Sequence, residues 1–130
     1  MIIAIDFDNT IAEVTVENGI VTKINEPLPG AIETIEALYK AGHELIVWTC
    51  RDDIPSAFLY FIEEMNAWLY EHKVNHCFSG INEQSEGWNK HAIWSQASSR
   101  KIYADMYIDD KNFGGFPGWN VIAQELLSNT

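Results

Sequence analysis

The chain opens on an unbroken apolar run, Ile2 to Ile5, that stops at Asp6. A run of this kind fits a strand buried on both faces, as in a parallel sheet. The pattern then changes to alternation. Val14-Thr-Val-Glu17 and Ile20-Val-Thr-Lys-Ile24 flank Asn18-Gly19, a strong short-range hairpin signal because both turn residues need positive φ. A small β-hairpin flap over about residues 12–25 is expected, ended by Pro27, Pro29 and Gly30. Ile32, Ile35, Leu38 and Tyr39 are spaced as a helical stripe over 31–41, with Gly42 as its C-terminal stop. Glu44 to Thr49 reads as a second buried strand ending in a hydroxyl, and strand, helix, strand in this order implies a right-handed parallel crossover.

Further along, Asp52 or Asp53 is positioned to cap a helix with Pro55 in its first turn, running to about Lys73. Phe58, Leu59, Ile62, Met65 and Leu69 would form its buried face, widened by Phe61 and Trp68. Val74–Phe78 is a short strand candidate. The stretch from Ser79 to Ser99, which holds Trp88, His91 and Trp94, is the least regular, with a short helix expected over Asn89–Ala97. Irregular connections of that length are often functional loops. Ala104 to Ile108 is a further strand, ended by Asp109-Asp110, and Trp119–Leu127 is a closing amphipathic helix. The fold class that follows is a Rossmann-like three-layer α/β/α sandwich on a parallel sheet. At 130 residues one domain over 1–130 is expected, long enough to bury roughly two-thirds of its extended-chain surface.

Composition narrows the function. With 47% hydrophobic and 21% charged residues the chain is an ordinary globular protein, and no apolar run approaches a membrane span. Cys50 and Cys77 are too few for a disulfide framework, and the N-terminus does not resemble a secretory signal, so a cytoplasmic location is expected. A net charge of −11 argues against nucleic acid, whose binding depends on Lys and Arg, and against anionic membranes.

Four groups fall at, or just after, strand ends: Asp6, Asp8 and Thr10; Thr49; Lys101; and Asp109 with Asp110. Each alone is an ordinary turn, cap or surface residue. Gathered at the carboxyl edge of a parallel sheet, where open α/β sheets bind ligands, they make a cation site with phosphate donors around it. Crowded carboxylates need a compensating cation or a shared proton, and oxygen ligands of this kind suit Mg²⁺.

Those residues also carry a family resemblance. Asp6-Phe-Asp-Asn-Thr10 resembles the DxDx(T/V) motif of the haloacid dehalogenase (HAD) superfamily, and Thr49 is similar to its second motif. Lys101 resembles the third-motif lysine and Asp109-Asp110 the fourth acidic motif, in the same chain order. Val47-Trp-Thr-Cys-Arg51 and Ile108 to Gly115 resemble small members that lack a cap domain. Asn9 departs from the pattern, standing where many superfamily phosphatases have Gly; Asn tolerates unusual backbone geometry better than most residues.

The resemblance implies a Mg²⁺-dependent phosphohydrolase that cleaves a phosphate monoester through an aspartyl-phosphate. Asp6 would be the nucleophile and Asp8 the general acid and base. Thr49 and Lys101 would hold phosphoryl oxygens. Asp6, the Asp8 backbone carbonyl, Asp110 directly and Asp109 at one remove would hold the metal, and Thr10 would stabilise the loop. With no segment long enough for a cap, the hairpin flap, the 79–99 stretch or a second copy in a homo-oligomer would cover the site. Arg51, Trp88 and His91 are candidates for contact with a phosphorylated substrate. Two rival readings are a non-catalytic metal- or phosphate-binding protein on the same scaffold and a receiver-like phospho-acceptor. The latter places its paired acids and its acceptor Asp in a different chain order.

Overall fold

The computed structural model describes residues 1–89 and 100–128. A central sheet is built from β1 (Ile2–Ile5), β4 (Glu44–Val47), β7 (Phe78–Ile81) and β8 (Met106–Ile108). Its order is β7-β4-β1-β8 with every neighbouring pair parallel. The four-residue apolar run puts β1 at the interior of this sheet, where both faces are covered.

Alternate residues of the central strands feed two cores. Ile3, Ile5, Leu45 and Val47 join the larger one, with Ile35 and Leu38 of α1 (Ala31–Lys40), Met65, Trp68 and Leu69 of α2 (Phe61–Glu71), and Trp119 and Ile122 of α4 (Trp119–Leu127). Ala4 and Ile46 point the other way, against Ile102 and Ala104. A short helix α3 (Glu86–Asn89) joins that side through Trp88, which stacks on Tyr103 with centroids 3.9 Å apart. The result is the expected three-layer α/β arrangement, with no obvious separate cap domain among the described residues. Part of the 79–99 stretch, including His91, Trp94 and all but the first residue of the helix expected over Asn89–Ala97, lies outside the described residues.

The hairpin forms as β2 (Ala12–Glu17) paired antiparallel with β3 (Ile20–Pro27). Asn18 at φ 52° and Gly19 at φ 77° make its turn, the pair of positive φ values that an Asn-Gly turn supplies at low cost. Trp68 Nε1 donates to the Asn25 carbonyl at 2.9 Å and ties the hairpin to α2. Helix α1 stops where expected, with Gly42 at φ 93° and the His43 N–H donating back to Leu38 O.

Two expectations are corrected. The second helix starts at Phe61 rather than just after Asp53. Before it, β5 (Asp53–Ile54) pairs with β6 (Leu59–Tyr60) around a 3₁₀ turn at Pro55–Ala57. Phe58, expected on the buried face, closes that turn at φ 54° and is 83% exposed. Asp53 still caps the helix, but from nine residues away: its Oδ1 accepts the Ile62 N–H at 2.9 Å. Chain distance misled the periodicity, because a side chain folded back by a small hairpin can satisfy the same orphan donors. The strand candidate Val74–Phe78 is likewise a 3₁₀ turn, Asn75–Cys77, that precedes β7. Val74 and Cys77 are buried as core filling rather than as sheet residues.

Replacing the distant cap should show in stability. Asp53→Ala is expected to cost about 1 kcal/mol, read as a lower denaturation midpoint with an unchanged slope in urea.

Candidate functional site

The strand ladder continues one residue beyond β1, as the Asp6 N–H donates to the Ile108 carbonyl at 2.9 Å. That bond places Asp6 at the carboxyl edge of the sheet directly beside the end of β8. Carboxylate oxygens of Asp6, Asp109 and Asp110 lie within 4.8 Å of one another. All three residues are half-buried. The sequence brought these acids together from opposite ends of the chain.

Thr10 holds the arrangement in place. Its hydroxyl donates to Asp6 Oδ2 at 3.1 Å and accepts the Asp110 N–H at 3.0 Å. Its carbonyl accepts Trp119 Nε1 at 2.7 Å, and the residue is fully buried. One threonine thus fastens the first-strand loop, the β8 loop and α4 to each other. The loop itself turns through Asn9 at φ 59°, and the N–H groups of Thr10, Ile11 and Ala12 all donate to Phe7 O. Asn adopts this left-handed region more readily than most residues other than Gly, so the departure at position 9 leaves the turn intact.

Asp8 faces another partner. Arg51 Nη2 meets its Oδ1 at 2.6 Å, and Arg51 Nε meets Oδ2 at 3.0 Å, a charge-assisted fork. Arg51 is buried, donates from Nη1 to the Phe61 carbonyl, and lies 5.2 Å from the Phe7 ring centre. Thr49 stands just past β4, where its hydroxyl accepts the Arg51 N–H at 3.0 Å. Asn82 braces Thr49 from both sides, accepting its N–H and donating to its carbonyl, each at 2.8 Å. Lys101 lies with its ammonium 4.9 Å from the centre of the Tyr107 ring, and Lys111 approaches Asp110 at 3.9 Å. Among the sequence candidates the structure therefore gathers Asp6, Thr10, Asp109 and Asp110. Asp8, Thr49 and Arg51 form an adjoining group, and Lys101 is seated on β8. Asn82 and the Trp119 indole escaped sequence reading, since neither belongs to a motif and only the fold brings them near.

Burial, first of all, pushes the Asp6 carboxyl from 3.8 up to about 7. A hydrogen bond with Asp110 and the charge of Asp109 add to the rise, and the Thr10 hydroxyl opposes it. Crowded acids share a proton in this way or take up a cation. Three hard oxygen donors could hold a metal ion. An octahedral ion with bonds of about 2.1 Å needs donors about 3–4 Å apart, a spacing compatible with oxygens that all lie within 4.8 Å of one another.

Comparison places these features among known proteins. No family model and no curated protein matches the chain. The fold and the acidic cluster define a Rossmann-like α/β protein with a candidate metal site. A solved structure of a conserved protein from Bacteroides thetaiotaomicron is similar over 100% of this chain and 92% of that one, with 31% identity and a TM-score of 0.73. The chain belongs to the family of that Bacteroides protein.

The raised Asp6 carboxyl fixes the sign of a pH effect. Its protonated form contributes stability that is fully present below about pH 3.8 and is lost as pH rises through about 7. Metal-free protein should therefore melt at a falling temperature between pH 5 and pH 8. A millimolar divalent cation should recover the loss, because it binds the ionised cluster. In Asp110→Asn both the pH-dependent loss and the cation response should shrink, which differential scanning fluorimetry with and without chelator would read.

Proposed function

We propose that the protein is a Mg²⁺-dependent phosphohydrolase of the HAD superfamily that cleaves a phosphate monoester through an aspartyl-phosphate on Asp6. The observation that carries this reading is the convergence of Asp6, Asp109 and Asp110 at the carboxyl edge of a parallel sheet, with Asp6 fixed by the Thr10 hydroxyl. When bound, Mg²⁺ supplies the positive charge that keeps Asp6 ionised and neutralises phosphoryl oxygens. Asp6, Asp110 and the Asp8 carbonyl would be its direct ligands, with Asp109 supporting them.

The Asp6 carboxylate attacks phosphorus in line, and the bond from phosphorus to the ester oxygen breaks. Asp8 gives its proton to the departing oxygen. It then takes one from the water that attacks the aspartyl-phosphate, releasing inorganic phosphate and restoring Asp6. Thr49, braced by Asn82, and Lys101 hold the phosphoryl oxygens. The Arg51–Asp8 pair gives this scheme an order of events. A phosphate arriving at Thr49 competes for the Arg51 guanidinium, which suits phosphate as well as carboxylate, and the released Asp8 carboxylate takes up a proton from solvent before it works as acid. The substrate is a phosphorylated compound rather than nucleic acid, given the net charge of −11. Among the described residues no helix is long and apolar enough to cross a membrane.

The same ion pair favours a second reading, in which Asp8 stays engaged and the protein binds metal and phosphate without turnover. A panel of phosphate esters assayed with Mg²⁺ and with chelator separates the two. In the enzyme, activity requires Mg²⁺, and Asp6→Asn abolishes it rather than trimming it, because the uncatalysed reaction is among the slowest known. Substantial Mg²⁺-dependent hydrolysis by a folded Asp6→Asn protein would remove Asp6 as nucleophile.

A further inference from the structure

Beside Asp8 and Arg51 opens a cavity of about 510 Å³. On one side it is walled by the hairpin turn, through Ile20 and Val21, and on the other by Ile54, Leu59 and Phe61. The size is within the usual range of small-molecule sites, roughly 300–1,000 Å³, and a mostly apolar wall with a few polar groups is the usual composition. Ile20 and Ile54 are 46% and 42% exposed. Two large aliphatic side chains left in water beside a charged pair are surface that a ligand would cover. The hairpin edge is set by the tight Asn18-Gly19 turn, so the wall is present before any ligand arrives.

The charges in this cavity point the same way. Asp8 and Asp52 bring two negative charges and Arg51 one positive charge, already engaged by Asp8. Among the described residues that line this cavity, a second anionic group on the substrate would find no cation that Asp8 does not hold, and it would approach a protein of net charge −11. An uncharged ring or branched alkyl group meets neither obstacle. Its burial against Ile20, Ile54 and Leu59 is favourable in proportion to the apolar area covered.

We propose that this cavity is the leaving-group subsite, and that the substrate is a phosphomonoester of a small apolar alcohol or phenol. The inference rests on the phosphohydrolase reading for its chemistry, but the subsite can be tested without turnover. Methyl-labelled protein loaded with Mg²⁺ would be titrated with phenylphosphonate and with methylphosphonate, which share the anionic head and resist hydrolysis. Phenylphosphonate is expected to shift the methyl signals of Ile20, Ile54 and Leu59 and to bind about tenfold tighter than methylphosphonate. In Ile20→Ser and Ile54→Ser, both at half-exposed positions, that preference should fall severalfold. Equal affinity for the two phosphonates, or shifts confined to other residues, overturns the subsite. So do shifts of these methyl signals that follow protein concentration without ligand, because a second copy would then be what covers the cavity. Activity supplies a separate arm, with kcat/KM for phenyl phosphate expected to exceed that for glycerol phosphate. If no ester at all is hydrolysed, the phosphohydrolase reading fails while the phosphonate comparison still decides the subsite.

Discussion

Electrostatic repulsion among Asp6, Asp109 and Asp110 is the constraint around which the sheet edge is built. Left to itself such a cluster would spread, since each partly buried carboxylate raises the cost of ionising the next. The backbone does not let it spread. The Asp6 N–H is fixed to Ile108 O, the Asp110 N–H is fixed to the Thr10 hydroxyl, and Thr10 is anchored in turn by the Trp119 indole. The ladder and the buried threonine hold the acids closer than they would choose. Burial, with the Asp110 hydrogen bond and the Asp109 charge added to it, pushes the Asp6 carboxyl up to about 7.

Much of this was legible in the sequence because it is local. A four-residue apolar run ending in Asp-x-Asp announces a buried strand with its acids at the edge. Asn-Gly announces the hairpin turn, and Gly42 the end of a helix. Where reading along the chain failed, the decisive contact spans the fold. Asp53 caps a helix that starts eight residues later, and no window of helical spacing contains that fact. Phe58 scored as a buried helical position, yet the β5–β6 turn turns it outward. Neither Asn82 bracing Thr49 nor Trp119 holding Thr10 follows from residue type, because each depends on which loops the sheet order brings together. The three-acid cluster was legible only as a combination, since Asp109-Asp110 means little until β8 is known to lie beside β1.

In the proposed phosphohydrolase the hairpin and the Arg51 segment would do the work of a cap, none being evident among the described residues. The phosphate end and the remainder of such a substrate would be recognised by whatever lies next to the sheet edge. Arg51 sits at the junction of both. Its guanidinium faces Asp8, its N–H faces the Thr49 hydroxyl, and the cavity walled by Ile20 and Leu59 begins beside it. A fork donor that can trade a carboxylate for a phosphate would link substrate arrival to the freedom of Asp8. The buried position of Arg51, stacked near Phe7 and bonded to the Phe61 carbonyl, limits how far it can follow a ligand. Such an exchange would therefore move Asp8 more than it moves Arg51.

This division of labour would also reconcile the overall charge with the anionic substrate proposed. At −11 the protein repels phosphate at long range, but exposed charges beyond about 8–10 Å are largely screened at physiological salt. What remains is the local field at the sheet edge. With three carboxylates and no cation that field is hostile to phosphate, and with a dication it is reversed. Phosphate binding would thus be conditional on metal, whereas the apolar cavity beside Asp8 is available either way. A phosphohydrolase arranged like this would select its substrate by two features, the apolar group by fixed shape and the phosphate by the ion, and the Arg51–Asp8 pair is where the two would meet.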